Sequence, residues 1–187
     1  MKNRKLYAAL LTGTLAVTMM GTTVFASAGQ TGTTQFTYEG GTIQPPGTGD
    51  ANDWMVKYPT SVKLADSNKA QNASASKTAG VPMEFSVTKK DGTTPVGANN
   101  IGAGGLSITA SASNWTRTNI AMAGTSGEVV NMQLTSSTDA FLQNNGKMAT
   151  LTVGAPRATG YASLSGDSKP VSGRNYTQTV TWTVTKN

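Results

Sequence analysis

The chain has 187 residues, with no Cys and no His. The missing Cys excludes a disulfide framework, a lipid-modified cysteine and thiol chemistry, and the missing His excludes Ser-His-Asp and Cys-His catalysis and the commonest metal ligand. Its formal charge of +6 comes from 15 basic and 9 acidic residues; past residue 5 the basic residues are scattered, one adjacent pair being Lys89 and Lys90, unlike the clustered, aromatic-interleaved surface of a nucleic-acid binder.

Residues 1–28 read as a signal peptide. A basic start, "MKNRK", precedes the apolar "LYAALLTGTLAVTMMGTTVF", and Ala26-Ser27-Ala28 fits a small-x-small cleavage site with no stop-transfer pattern behind it. Cleavage there removes Lys2, Arg4 and Lys5, leaving 12 basic against 9 acidic residues. The exported chain, about 160 residues long, suits one domain and can bury a core without disulfides. The expectation is a secreted protein with no membrane association after cleavage. Cysteine-free export further suggests a Gram-positive source.

Residues 29–50 read as an N-terminal arm. "TQFTYE" is a short candidate strand, and Pro45-Pro46-Gly47 with Gly49 forms a stiff-then-flexible linker. Residues 51–187 form the domain, and there period-two patterning dominates. "DWMVKYP" and "SVKLA" are candidate strands separated at Pro59. "PMEFSVTKK" points Met83, Phe85 and Val87 inward and turns at Asp91-Gly92. "GLSITASA" aligns Leu106, Ile108, Ala110 and Ala112, "GEVVNMQLTSS" aligns Val130, Met132 and Leu134, and "KMATLTVGAP" aligns Ala149, Leu151 and Val153. Between them, "NKAQNASASKTAG" reads as a surface loop or a polar edge strand, and "DAFLQNN" is the best candidate for a short helix. The closing run "YTQTVTWTVTKN" places Tyr176, Val180, Trp182 and Val184 on one face and a row of Thr on the other. Short strands punctuated by Gly, Asn and Ser predict an all-β fold, a single antiparallel β-sandwich of immunoglobulin-like architecture carrying an N-terminal arm.

No catalytic constellation emerges, so no enzyme activity, cofactor or metal is expected. The nine acids are isolated in sequence, and most sit in turn-forming contexts. "DAND" (50–53) and "DSN" (66–68) offer oxygen ligands but lack the dense spacing of a calcium loop. A Lys-Asn or Lys-Asp isopeptide bond would require a buried lysine. Trp182 reads as a core anchor; Trp54 and Trp115 are each either a core anchor, the default for a large aromatic in a sandwich, or an exposed ligand platform, Trp115 being the candidate for stacking on sugar.

The stretch Tyr176-x-x-x-Val180-Thr181-Trp182-Thr183-Val184 resembles the closing signature of WxL-domain proteins, cell-surface proteins of low-GC Gram-positive bacteria, with Val in place of two leucines. "NWTRTNIAM" around Trp115 falls where that family's first Trp-x-Leu motif would lie, with Arg117 at the Leu position. The resemblance implies non-covalent association with the cell wall through peptidoglycan, within a complex of surface proteins, and makes Tyr176, Val180, Thr181, Trp182, Val184 and Trp115 the wall-association residues. Two other readings stay open. One is a structural subunit of a surface fibre assembled by strand addition of the arm; the other is a secreted carbohydrate-binding or adhesin domain.

Overall fold

The computed structural model describes residues 31–38 (as backbone), 54–89, 91–124, 126–171 and 174–187. Residues 1–28, expected to be a signal peptide, the expected linker and the acids Asp50 and Asp53 lie outside them. Twelve strands and two short helices follow in chain order: β1 (Thr31–Tyr38), β2 (Trp54–Lys57), β3 (Ser61–Leu64), β4 (Lys69–Ala70), α1 (Ala73–Ala79), β5 (Val81–Lys89), α2 (Ala98–Ile101), β6 (Leu106–Ser111), β7 (Trp115–Thr116), β8 (Asn119–Gly124), β9 (Val129–Thr135), β10 (Gly146–Leu151), β11 (Arg157–Ser165) and β12 (Tyr176–Lys186).

The strands join into one hydrogen-bonded sheet with the main order β10-β6-β12-β8-β9-β11-β5-β2. Every pairing is antiparallel except β1 with β3 and β4 with β11. The sheet folds back on itself. Strands β12 and β5 are separated by three others along the ladder, yet Phe85 and Trp182 meet edge to face with ring centroids 5.1 Å apart. The inner faces of two layers therefore confront each other, as in an immunoglobulin-like sandwich.

Alternation supplies that interior. Met83, Phe85 and Val87 on β5, Leu106, Ile108 and Ala110 on β6, and Val130, Met132 and Leu134 on β9 are all buried. They join Trp54, Tyr176, Val180, Trp182 and Val184 in one apolar cluster. Large aromatic and β-branched residues on one parity dictate these strands, because a slip of one residue would turn the whole set to water.

Elsewhere the fold departs from simple alternation. In β10 the register with β6 shifts between Lys147 and Ala149, so that Met148 and Ala149 are both buried. Val153 falls in the turn after β10 and is 46% exposed, not inward. "DAFLQNN" is not helical: Asp139 has φ 71°, which breaks a helix, and Phe141 forms an isolated bridge with Thr135.

The polar stretch expected as a surface loop or edge strand holds β4 and α1 instead. The Asn72 side chain caps α1 by accepting from the Ala75 N–H at 2.8 Å, and Gly80 closes it by donating to Ser76 O. This helix has no apolar stripe, since Ser76 is its one buried residue. Strand β11 lacks a regular alternation of large apolar residues because it threads between β9 and β5. There Gly160, Ala162 and Ser163 are buried where larger side chains would collide.

Candidate functional site

The most distinctive local arrangement is the seat of strand β1, which falls within the expected N-terminal arm. Strand β1 lies antiparallel to β12 over all eight of its residues, from Thr31 opposite Thr183 to Tyr38 opposite Tyr176. Its other edge runs parallel to β3, from Gln35 beside Ser61 to Tyr38 beside Leu64. Among the described residues, β1 is the single ladder partner of β3 and the single one along that edge of β12. Strand β1 thus fills a slot that would otherwise present two unpaired strand edges.

The opposite edge of β12 is shared. Residues 181–186 pair with β6, and Tyr176 and Thr177 pair with β8. Where those two partners diverge, Gln178 bridges the gap: its Nε2 donates to Ala121 O at 2.7 Å and its Oε1 accepts from Thr179 N. The side chains of β12 are equally committed. Tyr176 is buried, and its hydroxyl accepts from Val171 N at 3.1 Å. Val180, Trp182 and Val184 lie in the core, and Thr181 is half-buried on the other parity.

Trp115 stands apart from that group. It sits on the two-residue strand β7, paired with Ile120 of β8, and packs half-buried against the core with its indole N–H enclosed and without a hydrogen-bond partner. The structure does not bring Trp115 and β12 into one exposed surface. Trp54 is core, at 3% exposure.

Three of the described acids are held in ion pairs. Asp66 pairs with Lys69 at 2.7 Å, Asp139 with Lys77 at 2.9 Å, and Glu128 with Arg174 at 3.6 Å. Asn68 Oδ1 accepts from Ala65 N, so Asp66–Asn68 is a turn. No cluster of three or more potential metal-ligating side chains exists among the described residues. Their lysines are exposed or half-buried; Lys57 Nζ, for example, donates to Gly92 O at 2.9 Å. Among the described residues there is no buried lysine of the kind an isopeptide bond needs.

No family model matches the chain, and no curated protein does. Among solved structures it is similar to a DaaE adhesin, at 18% identity and TM-score 0.39 over 85% of this chain and 97% of that one. It is likewise similar to the AfaE-3 adhesin from Escherichia coli, at 16% identity and TM-score 0.39 over 86% and 96%. A third is a DraE adhesin in complex with chloramphenicol succinate, at 16% identity and TM-score 0.39 over 84% and 95%. The likeness is one of fold.

These findings correct the WxL resemblance, and with it the Gram-positive, peptidoglycan-associated surface protein that it implied. The solved structures that the chain resembles are adhesins, one of them from a Gram-negative organism. The physical reason is visible in the motif itself. Tyr176, Val180, Trp182 and Val184 are consumed by the core, Thr181 pairs with β1 and β6, and Trp115 packs elsewhere. A Tyr-Val-Trp-Val face is what any inner strand of a sandwich needs.

Proposed function

We propose that the chain is a non-catalytic structural subunit of a secreted surface fibre, in which the N-terminal arm of one copy enters the slot between β12 and β3 of the next. One observation carries the reading: β1 is a complete strand of the sheet, paired along both edges, yet it belongs to an arm. Residues 39–53, with Pro45, Pro46 and four glycines, separate it from β2. Fifteen residues can span up to roughly 50 Å when extended, enough to seat the strand in its own domain or in a neighbour's. Strand addition of this kind draws affinity from main-chain hydrogen bonds. A head-to-tail contact that does not close on itself extends into a filament.

The absence of cysteine makes a direct test possible, because any disulfide is then an introduced one. Thr33 and Thr181 are directly opposed in the β1–β12 ladder. Opposed antiparallel Cα atoms lie at about 4.5–5.5 Å, within disulfide reach. Mixing the single variants Thr33→Cys and Thr181→Cys under mild oxidant should give crosslinked dimers, and the double variant should give covalent ladders and filaments in electron micrographs. Shifting one cysteine to Thr34→Cys, off the register, should lower the yield severalfold. If the double variant crosslinks only within single chains at every protein concentration, the arm serves its own domain and the fibre reading fails.

A further inference from the structure

The hairpin β7–β8 is joined by two residues, Arg117 and Thr118, between the paired Thr116 and Asn119. Arg117, the first of them, has φ 54°. This is the left-handed region that Gly enters freely at the head of such a turn, and a long side chain held there costs roughly 1–3 kcal/mol. Among the described residues, the other two non-glycine residues with positive φ are Asp139 and Asn145, side chains that tolerate this conformation, and each is tied into the fold. Asp139 pairs with Lys77, and Asn145 donates its N–H to Ala110 O. Arg117 has no such return: its guanidinium makes no ion pair and no hydrogen bond among the described residues.

What Arg117 does line is an open depression of about 520 Å³, with Asn114, Thr116, Thr118, Asn119 and Asn131 around it. Arg117 is the only charged residue of that lining among the described residues. Asn119 is held in place, since its Oδ1 accepts from Gln133 Nε2 at 2.9 Å. The backbone of Asn131 is pinned on both sides by Ser168 Oγ, at 3.1 and 2.6 Å, while its side-chain amide has no partner among the described residues. Strands β8 and β9 thus fix the amides of Asn119 and Asn131, β7 and its turn add the hydroxyls of Thr116 and Thr118, and the strained turn sets one guanidinium at the rim.

We propose that this depression binds a carboxylate-bearing saccharide, with the Arg117 guanidinium taking the carboxylate and the Asn and Thr side chains taking ring hydroxyls. A planar guanidinium matches a carboxylate with two parallel hydrogen bonds. Side-chain amides and hydroxyls both donate and accept, as sugar hydroxyls do. An acidic peptide suits the site less well, because the lining offers no apolar pocket for an anchoring side chain. Trp115 is not in the lining, so recognition here uses no stacked aromatic platform. The site is separate from the β1 slot and does not rest on the fibre reading.

The test is a titration of the isotopically labelled, exported chain with sialyllactose and, separately, with a glucuronate-containing disaccharide, followed by amide shifts. Lactose and acetate are the controls. At least one acidic sugar should saturate shifts at Asn114, Thr116, Asn119 and Asn131, with lactose and acetate at least tenfold weaker. Arg117→Gly should lose binding at least tenfold while its melting temperature stays level or rises, because Gly relieves the turn. Arg117→Lys, which keeps charge but not the fork, should fall between, and Asn131→Ala should weaken binding severalfold. The proposal is overturned if neither acidic sugar shifts these amides, if lactose binds as tightly as sialyllactose, or if Arg117→Gly binds like the parent protein.

Discussion

The closing strand and the turns answer to different physics. Strand β12 is laddered along both edges and keyed into the core by Tyr176, Val180, Trp182 and Val184, all of them buried. The turns at Asp91 and Arg117 are exposed, and what they hold is local: a carboxylate satisfied within three residues in one, an unpaired guanidinium in a strained conformation in the other. In the interior a side chain is kept by packing. In these two turns it is kept by hydrogen bonds to its own neighbours, or has no partner among the described residues.

The interior half of the contrast can be broken at Trp182. It is 1% exposed and meets Phe85 with ring planes at 76°. Removing a buried Trp leaves a cavity in a close-packed core, at a typical cost of about 3–5 kcal/mol. Trp182→Ala should therefore lower the denaturant midpoint sharply without changing the slope of the transition, and Trp182→Phe should recover a substantial part. Both quantities come from one urea titration followed by circular dichroism. A loss comparable with that of an exposed substitution would mean that β12 is not keyed into the core as described.

A second break point tests whether packing is as tight where the side chain is absent. Gly160 of β11 faces β10, and a Cβ added there would come within 2.8 Å of the Thr135 carbonyl oxygen and closer still to the Met148 sulfur. The carbonyl belongs to the backbone and cannot swing away. Gly160→Ala should cost roughly 1–3 kcal/mol by overpacking, or a few degrees of melting temperature for a chain of this size. Because Met148 is the other obstacle, Gly160→Ala combined with Met148→Ala should be less destabilised than the sum of the two single variants. Strict additivity would show that the two layers are farther apart than the structure places them.

The same division explains what the amino-acid order discloses. Strands β5, β6, β9 and β12 are legible because Phe85, Ile108, Met132 and Trp182 recur at period two among polar neighbours. Strand β11 is not, because a strand flanked on both edges and pressed by β10 uses Gly160, Ala162 and Ser163, residues equally at home in a turn. Helix α1 is hidden for the opposite reason, having polar caps but no apolar face.

The arm slot depends on pairing between residues near 35 and near 180, which no local period encodes. The depression at Arg117 depends on Asn131 of β9 standing beside a hairpin twelve residues upstream. Read along the chain, Arg117 is only the residue that spoils a Trp-x-Leu match. The closing run resembles a family signature for a related reason: a face built for packing carries aromatic and β-branched residues in any sandwich.

The smallest expected effect belongs to the Asp91 turn, and it tests the claim that turn side chains act only locally. The Asp91 carboxylate accepts the Thr94 hydroxyl and the backbone N–H groups of Thr93 and Thr94, at 2.9 and 2.7 Å for the latter two. These bonds, the Thr94 hydroxyl foremost, favour the charged form and lower its pKa to about 2 from the ordinary 3.8. A depressed folded-state value means that the turn contributes stability above the unfolded pKa and loses it as pH falls from about 4 towards 2. The group is fully exposed, so solvent screens most of that contribution. In Asp91→Asn the amide oxygen can still accept both backbone N–H bonds, but no charge remains to titrate. Melting curves of the parent and of Asp91→Asn should therefore differ slightly and constantly above pH 5 and draw together as pH falls from about 4 to about 2, with the Asp91 carboxyl resonance titrating near pH 2. A midpoint near 4 would mean that the Thr94 hydroxyl and the two N–H groups do not hold the charge, and the turn would then owe its shape to Gly92, whose φ of 78° already favours it.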